Sequence, residues 1–136
     1  MTPDGETTAG KITGIGGVFV TSPDPEALKA WYRDKLGFDI TDYGAHFRSA
    51  DDPAAEQSYT LWSPFSNDTQ YLKPSTKPFM INFRVDDLEA YVETLAARGV
   101  TLEGDGVVTE PYGKFAWVVD RDGTKLELWQ QIGDAP

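Results

Sequence analysis

The chain has no cysteine and a single histidine, His46. Without thiols there are no disulfides and no thiolate chemistry, and the redox compartment goes unmarked. One histidine with no motif around any serine excludes a Ser-His-Asp nucleophile. Long apolar runs are also missing, so no stretch is suited to span a bilayer. The first residues carry neither a basic start nor an apolar run, which argues against a signal peptide and for a cytoplasmic protein. Basic residues are scarce: 12 against 22 acidic, a net charge of −10 and a pI near 4.4. Such a surface repels nucleic acid and anionic membrane, so neither is expected as a partner. A phosphate-cradling glycine loop is absent too. Thr13-Gly14-Ile15-Gly16-Gly17 precedes a strand instead of joining a strand to a helix.

What is present is 136 residues with 40% apolar and 12% aromatic content, enough for one packed domain. The sequence is written twice. Gly17-Val18-Phe19-Val20 leads into Asp24-Pro25-Glu26-Ala27-Leu28 and closes at Leu36-Gly37. Met80-Ile81-Asn82-Phe83 leads into Asp87-Leu88-Glu89-Ala90-Tyr91 and closes at Arg98-Gly99. Asp24 and Asp87 lie 63 positions apart, as do Glu26 and Glu89. Each half then runs to a Leu-Trp pair, Leu61-Trp62 and Leu128-Trp129. A period near half the chain is too long for a solenoid unit and implies two similar halves around a shared centre.

Local signals place the elements. A first strand is predicted over 12–20. Asp24 suits an N-cap, Pro25 the first turn, and Gly37 the C′ position of a helix carrying Leu28, Trp31, Tyr32 and Leu36 at helical spacing. Strands are expected near 38–43, 46–50 and 58–62. A polar, proline-bearing connector follows. The second half repeats this: a strand over 79–85, a helix from Asp87 to Gly99, and strands near 100–102, 115–119 and 124–130. Asp120-Arg121-Asp122-Gly123 forms a tight turn between the last two. The predicted order is β-α-β-β-β, twice.

Pro23-Asp24-Pro25-Glu26-Ala27, Trp31-Tyr32, Leu36-Gly37-Phe38, Phe83-Arg84-Val85-Asp86-Asp87-Leu88 and Asp120-Arg121-Asp122-Gly123 with Leu126-Glu127-Leu128 resemble, in order and spacing, the vicinal oxygen chelate superfamily. That superfamily includes glyoxalase I, extradiol dioxygenases and bleomycin-resistance proteins. The resemblance covers about residues 11–130 and implies an α+β fold, two βαβββ modules forming a cupped half-barrel. The expected organisation is a loose tail over 1–10 and one such domain over 11–131. Module one would run over 11–63, the connector over 64–78 and module two over 79–131.

Strand alternation says what should face the cup. Ile81, Phe83 and Val85 go to the helix, leaving Met80, Asn82 and Arg84 on the cavity side. Phe19 faces the cavity between Val18 and Val20, and Lys125, Glu127 and Trp129 face it opposite Leu126 and Leu128. Repeat symmetry assigns Ser58, Thr60 and Trp62 the same role. The expected ligand-binding set is Phe19, Thr60, Trp62, Met80, Asn82, Arg84 and Trp129: aromatic walls with a few placed polar groups.

The resemblance also implies a divalent metal held by His, Glu or Gln, from the first and last strand of each module. By spacing those positions are Gly17, Thr60, Met80 and Glu127, of which only Glu127 is a strong hard-metal donor. No metal and no other cofactor is therefore expected. Glu127 is the candidate general base, with a structural pairing to Arg84 or Lys125 as its alternative role. His46 is the second catalytic candidate because an imidazole titrates near neutrality. Two functions fit these residues. One is a metal-free binding protein for a small organic molecule, like the bleomycin-resistance branch. The other is a glyoxalase- or dioxygenase-like lyase, isomerase or oxygenase using Glu127 and His46. The resemblance further implies a homodimer.

Overall fold

The computed structural model describes residues 10–48 and 59–132. The tail expected over 1–10, the end of the strand expected at 46–50 and the residue Ser58 lie wholly or mostly outside them. Ten elements follow the predicted order. β1 (Ile12–Ser22), α1 (Pro25–Leu36), β2 (Ile40–Thr41), β3 (Gly44–Phe47) and β4 (Thr60–Ser66) form the first module. β5 (Phe79–Val85), α2 (Leu88–Ala97), β6 (Glu103–Glu110), β7 (Gly113–Val119) and β8 (Lys125–Gln131) form the second.

Both helices begin as their sequences dictate. The Asp24 carboxylate accepts from the Ala27 amide at 3.1 Å, with Pro25 opening the first turn where no amide hydrogen is needed. Asp87 accepts from Ala90 at 3.1 Å in the same way. Gly37 closes α1 in the left-handed region (φ 76°), where a Cβ would be strained. The Gln130 side chain accepts from the Leu88 amide at 2.8 Å, which ties the start of α2 to the last strand.

The strands make one eight-stranded sheet in the order β2-β3-β4-β1-β5-β8-β7-β6. Within each module the first strand pairs in parallel with the last: β1 with β4, and β5 with β8. The modules join where β1 and β5 run antiparallel. The result is the α+β class with an open, curved sheet. β4 extends to Ser66, past the expected end of module one, because Pro64 sits in a strand that still pairs with β1. β6 lies at 103–110, beyond the strand expected near 100–102. Its glycines and acidic residues read as loop, but as the sheet's outermost strand it pairs on one side only and accepts an irregular register.

One face of this sheet packs on the helices. Val85, Leu128, Ala116 and Val118 bury against Leu88 and Leu95 of α2. Tyr32 of α1 lies 4.1 Å from Trp62 of β4, ring centre to ring centre. The other face is concave and carries the site. Leu88 is fully buried at 0% exposure. Replacing it with alanine is expected to cost roughly 2–5 kcal/mol in urea unfolding. Trp31→Ala, at a half-exposed position of α1, is expected to change stability by about 0.5 kcal/mol or less.

Candidate functional site

The concave face encloses a cavity of about 410 Å³. Nine of its seventeen lining residues are Phe, Tyr or Trp, which makes the walls broad, apolar and polarisable. β5, β7 and β8 supply the polar centre. Glu127 is 4% exposed and its carboxylate is fully engaged. Oε1 accepts from Asn82 Nδ2 at 2.7 Å. Oε2 accepts from Trp117 Nε1 at 3.0 Å and from the Tyr71 hydroxyl. Three neutral donors thus solvate a buried anion without neutralising it. Burial, then the negative charge of Glu127, push the Tyr71 phenol well above its ordinary value of 10.0. It therefore donates throughout the physiological range.

Two cations stand near this centre without pairing to it. Lys125 Nζ donates to the Tyr71 carbonyl at 2.5 Å and lies over the Tyr71 and Trp117 rings at 5.1 and 5.8 Å. Its pKa is lowered by burial, and Glu127 opposes that shift. Arg84 donates to the Tyr59 carbonyl at 2.6 Å and to Ile15 at 3.4 Å, with its guanidinium 5.9 Å from the Trp129 ring. Burial lowers its pKa as well. The pairing of Glu127 with Arg84 or Lys125 is therefore not what the structure holds: among the described residues Glu127 forms no ion pair, and amide, indole and phenol donors take that place.

Of the residues singled out from sequence, Phe19, His46, Asn82, Glu127 and Trp129 line the cavity. Thr60, Trp62, Met80 and Arg84 do not. Thr60 donates to the Ile15 carbonyl at 2.9 Å. Trp62 packs on Tyr32 and Phe38, on the helix side. Met80 is on the expected face but fully buried, packed with Phe19 and the connector residue Leu72. Arg84 is spent as a clamp between strands.

The error at Thr60 and Trp62 has one cause. The two Leu-Trp pairs are in opposite phase. On β8, Leu128 packs toward α2 and Trp129 toward the cavity; on β4, Leu61 lines the cavity and Trp62 turns to the helix. A single-residue shift of register reverses every side chain on a strand. Strand pairing shows which cavity residues lie side by side within each module. Phe19 pairs with Ser63 and Asn82 with Glu127, and Phe19 and Asn82 are 63 positions apart, the spacing of the helix caps. The pairs that line the cavity are thus Phe19 with Ser63 and Asn82 with Glu127. A phenyl, a hydroxyl, an amide and one already solvated carboxylate do not make the three-ligand hard-donor set that a catalytic divalent ion needs. Among the described residues no group of three or more His, Cys, Asp or Glu side chains is placed to hold a metal ion.

Sequence reasoning missed Tyr71 and Trp117. Trp117 was readable: it alternates with Phe115 on a strand whose other face is Ala116 and Val118. Tyr71 carried no signal, since it lies in the connector and meets a residue 56 positions away. Glycine provides the remaining space. A Cβ on Gly16 would come within 2.2 Å of Asn82 Oδ1 and 2.9 Å of the Trp129 ring, so no larger residue fits there without moving both.

The sequence profile of the Glyoxalase/Bleomycin resistance protein/Dioxygenase superfamily matches residues 14–128, and the chain belongs to that superfamily. Solved structures agree on the fold. Methylmalonyl-CoA epimerase from Mycobacterium tuberculosis is similar at 19% identity and a TM-score of 0.64, over 96% of this chain and 93% of that one. A single-substitution variant of the Streptomyces coelicolor methylmalonyl-CoA epimerase, solved with 2-nitronate-propionyl-CoA, gives 16% identity and 0.69 over 90% and 100%. A superfamily member from Vibrio splendidus 12B01 gives 15% and 0.54 over 84% and 96%. No curated protein matches the chain.

The Tyr71 hydroxyl gives this site an alkaline signature. Its folded pKa is raised, so the fold keeps a proton that the unfolded chain releases above 10.0. Its contribution to stability is complete below that pH and is lost as the pH climbs through and beyond it. Tyr71→Phe is expected to unfold at lower urea than the parent near neutrality. The gap should narrow above pH 10.0, as followed by urea midpoints across a pH series.

Proposed function

We propose that this protein binds a small organic molecule in the concave cavity, without a metal at the superfamily's usual position. The observation that carries this reading is Glu127, a buried carboxylate held by three donors at the centre of an aromatic cavity. A cavity of about 410 Å³ has the size of sites for small ligands. Rings such as Phe115 and Trp129, parallel to within 3° at 6.2 Å between centres, offer faces for stacking. A thermal-shift screen with small aromatic, aldehyde and peptide-like compounds, run in excess chelator, tests it. At least one class is expected to raise the melting temperature. Trp129→Ala is expected to remove that shift. Stabilisation seen only with added Ni, Zn, Mn or Fe would overturn the metal-free reading.

A second reading is an enzyme. It is favoured by Glu127 and His46 lining the same cavity, which puts a carboxylate and an imidazole within reach of one ligand. The methylmalonyl-CoA epimerases among the structural neighbours show that this fold hosts an epimerase, and at their identities they support the fold alone. Abstraction of a proton by Glu127 would require one of its donors to yield. Exchange of deuterium from solvent into a bound carbonyl compound, lost in Glu127→Gln, distinguishes this reading from binding alone.

The net charge of −10 supports a soluble protein, for which we propose the cytoplasm, and no helix among the described residues is long and apolar enough to cross a membrane. We further propose a homodimer. Trp31, Leu36, Phe47 and Phe79 leave large apolar side chains at the surface, 51, 56, 49 and 36% exposed. Light scattering at micromolar concentration is expected to give twice the 15.0 kDa chain mass. A single-chain mass would contradict it.

A further inference from the structure

Resting on the binding reading above, we infer that the cavity selects an organic cation, an alkylammonium or a cationic heterocycle, over neutral or anionic molecules of the same shape. The described residues that line the cavity include Glu127 and Glu110 and no Lys or Arg. The two cations nearest this centre are committed elsewhere: Lys125 to the Tyr71 carbonyl and ring, Arg84 to the Tyr59 and Ile15 carbonyls. The carboxylate is thus solvated by three donors and, among the described residues, forms no direct ion pair, although its charge acts on Lys125.

A buried anion with no direct ion-pair partner is costly, and a cation delivered into the same space offsets that cost. The walls favour the same partner. Aromatic faces attract a cation through their quadrupole, most strongly where water is excluded. Tyr59, Trp117 and Trp129 already hold Arg48, Lys125 and Arg84 at 5.5, 5.8 and 5.9 Å, and Tyr112 and Phe115 present further such faces around the cavity. Asn82 adds an acceptor. Its amide nitrogen is taken by Glu127, and its Oδ1 is buried with no hydrogen-bond partner among the described residues. That oxygen suits the N–H of a protonated amine. Among the described lining residues an anionic ligand would meet two carboxylates and no Lys or Arg, and would be rejected.

The test uses three compounds of one shape: benzyltrimethylammonium, its carbon isostere neopentylbenzene, and benzylsulfonate. Binding is read from quenching of the tryptophans, two of which, Trp117 and Trp129, line the cavity. The buffer is held near pH 8, where an imidazole of ordinary basicity is uncharged. The ammonium is expected to bind about tenfold or more tightly than the isostere, with affinity falling as salt rises, and the sulfonate not at all. Glu127→Gln, checked for its fold by near-ultraviolet circular dichroism, is expected to erase the difference between ammonium and isostere. Glu110→Gln, at an exposed position, is expected to weaken the ammonium alone and by less; it carries the test should Glu127→Gln not fold. Equal binding of ammonium and isostere would overturn the cation inference and leave the binding reading standing. Failure of all three to bind would overturn both.

Discussion

A buried negative charge organises this molecule. Glu127 sits on β8 at 4% exposure, where a carboxylate without hydrogen-bond donors would be costly to bury. The fold solves the problem with donors from three places: Asn82 of β5, Trp117 of β7 and Tyr71 of the connector. Each donor fixes something larger. Asn82 sets the face of a central strand and requires Gly16 opposite it, since a Cβ there would collide with its Oδ1. Trp117 fixes the register between β7 and β8, whose pairing places it directly across from Glu127. Tyr71 pins the connector across the cavity, and Leu72 beside it seals Met80 and Phe19.

The same charge explains why two halves with matching frames make an asymmetric site. Helix caps, strand order and parallel first-to-last pairing repeat in both modules. The cavity-facing pairs do not. Phe19 with Ser63 makes one half a wall, and Asn82 with Glu127 makes the other a polar centre. A symmetric set of four donors would enclose a metal ion. On the proposed binding reading, an aromatic wall facing one solvated carboxylate suits an organic molecule that stacks on rings and answers a single charge.

Much of the frame was legible in the sequence because it is set locally. Asp24-Pro25 and Gly37 announce α1 by capping chemistry that needs no distant partner. Alternation on β5 and β8 puts Asn82, Glu127 and Trp129 on the concave face, where they line the cavity. It failed on β4, where the repeated Leu-Trp pair invited a match that the true register, Val18 with Trp62, does not allow. Phase on a strand is decided by its neighbour, and composition does not encode it. Tyr71 was invisible for a related reason: its role exists only once the connector has folded back over β8.

The most direct test is a crystal structure of the protein as purified, with anomalous data collected to locate any transition metal. The account predicts the Glu127 carboxylate in contact with Asn82, Trp117 and Tyr71, and organic density between the aromatic walls or none. A metal ion bonded to Glu127, with Tyr71 turned away and Asn82 or His46 completing its shell, would contradict it.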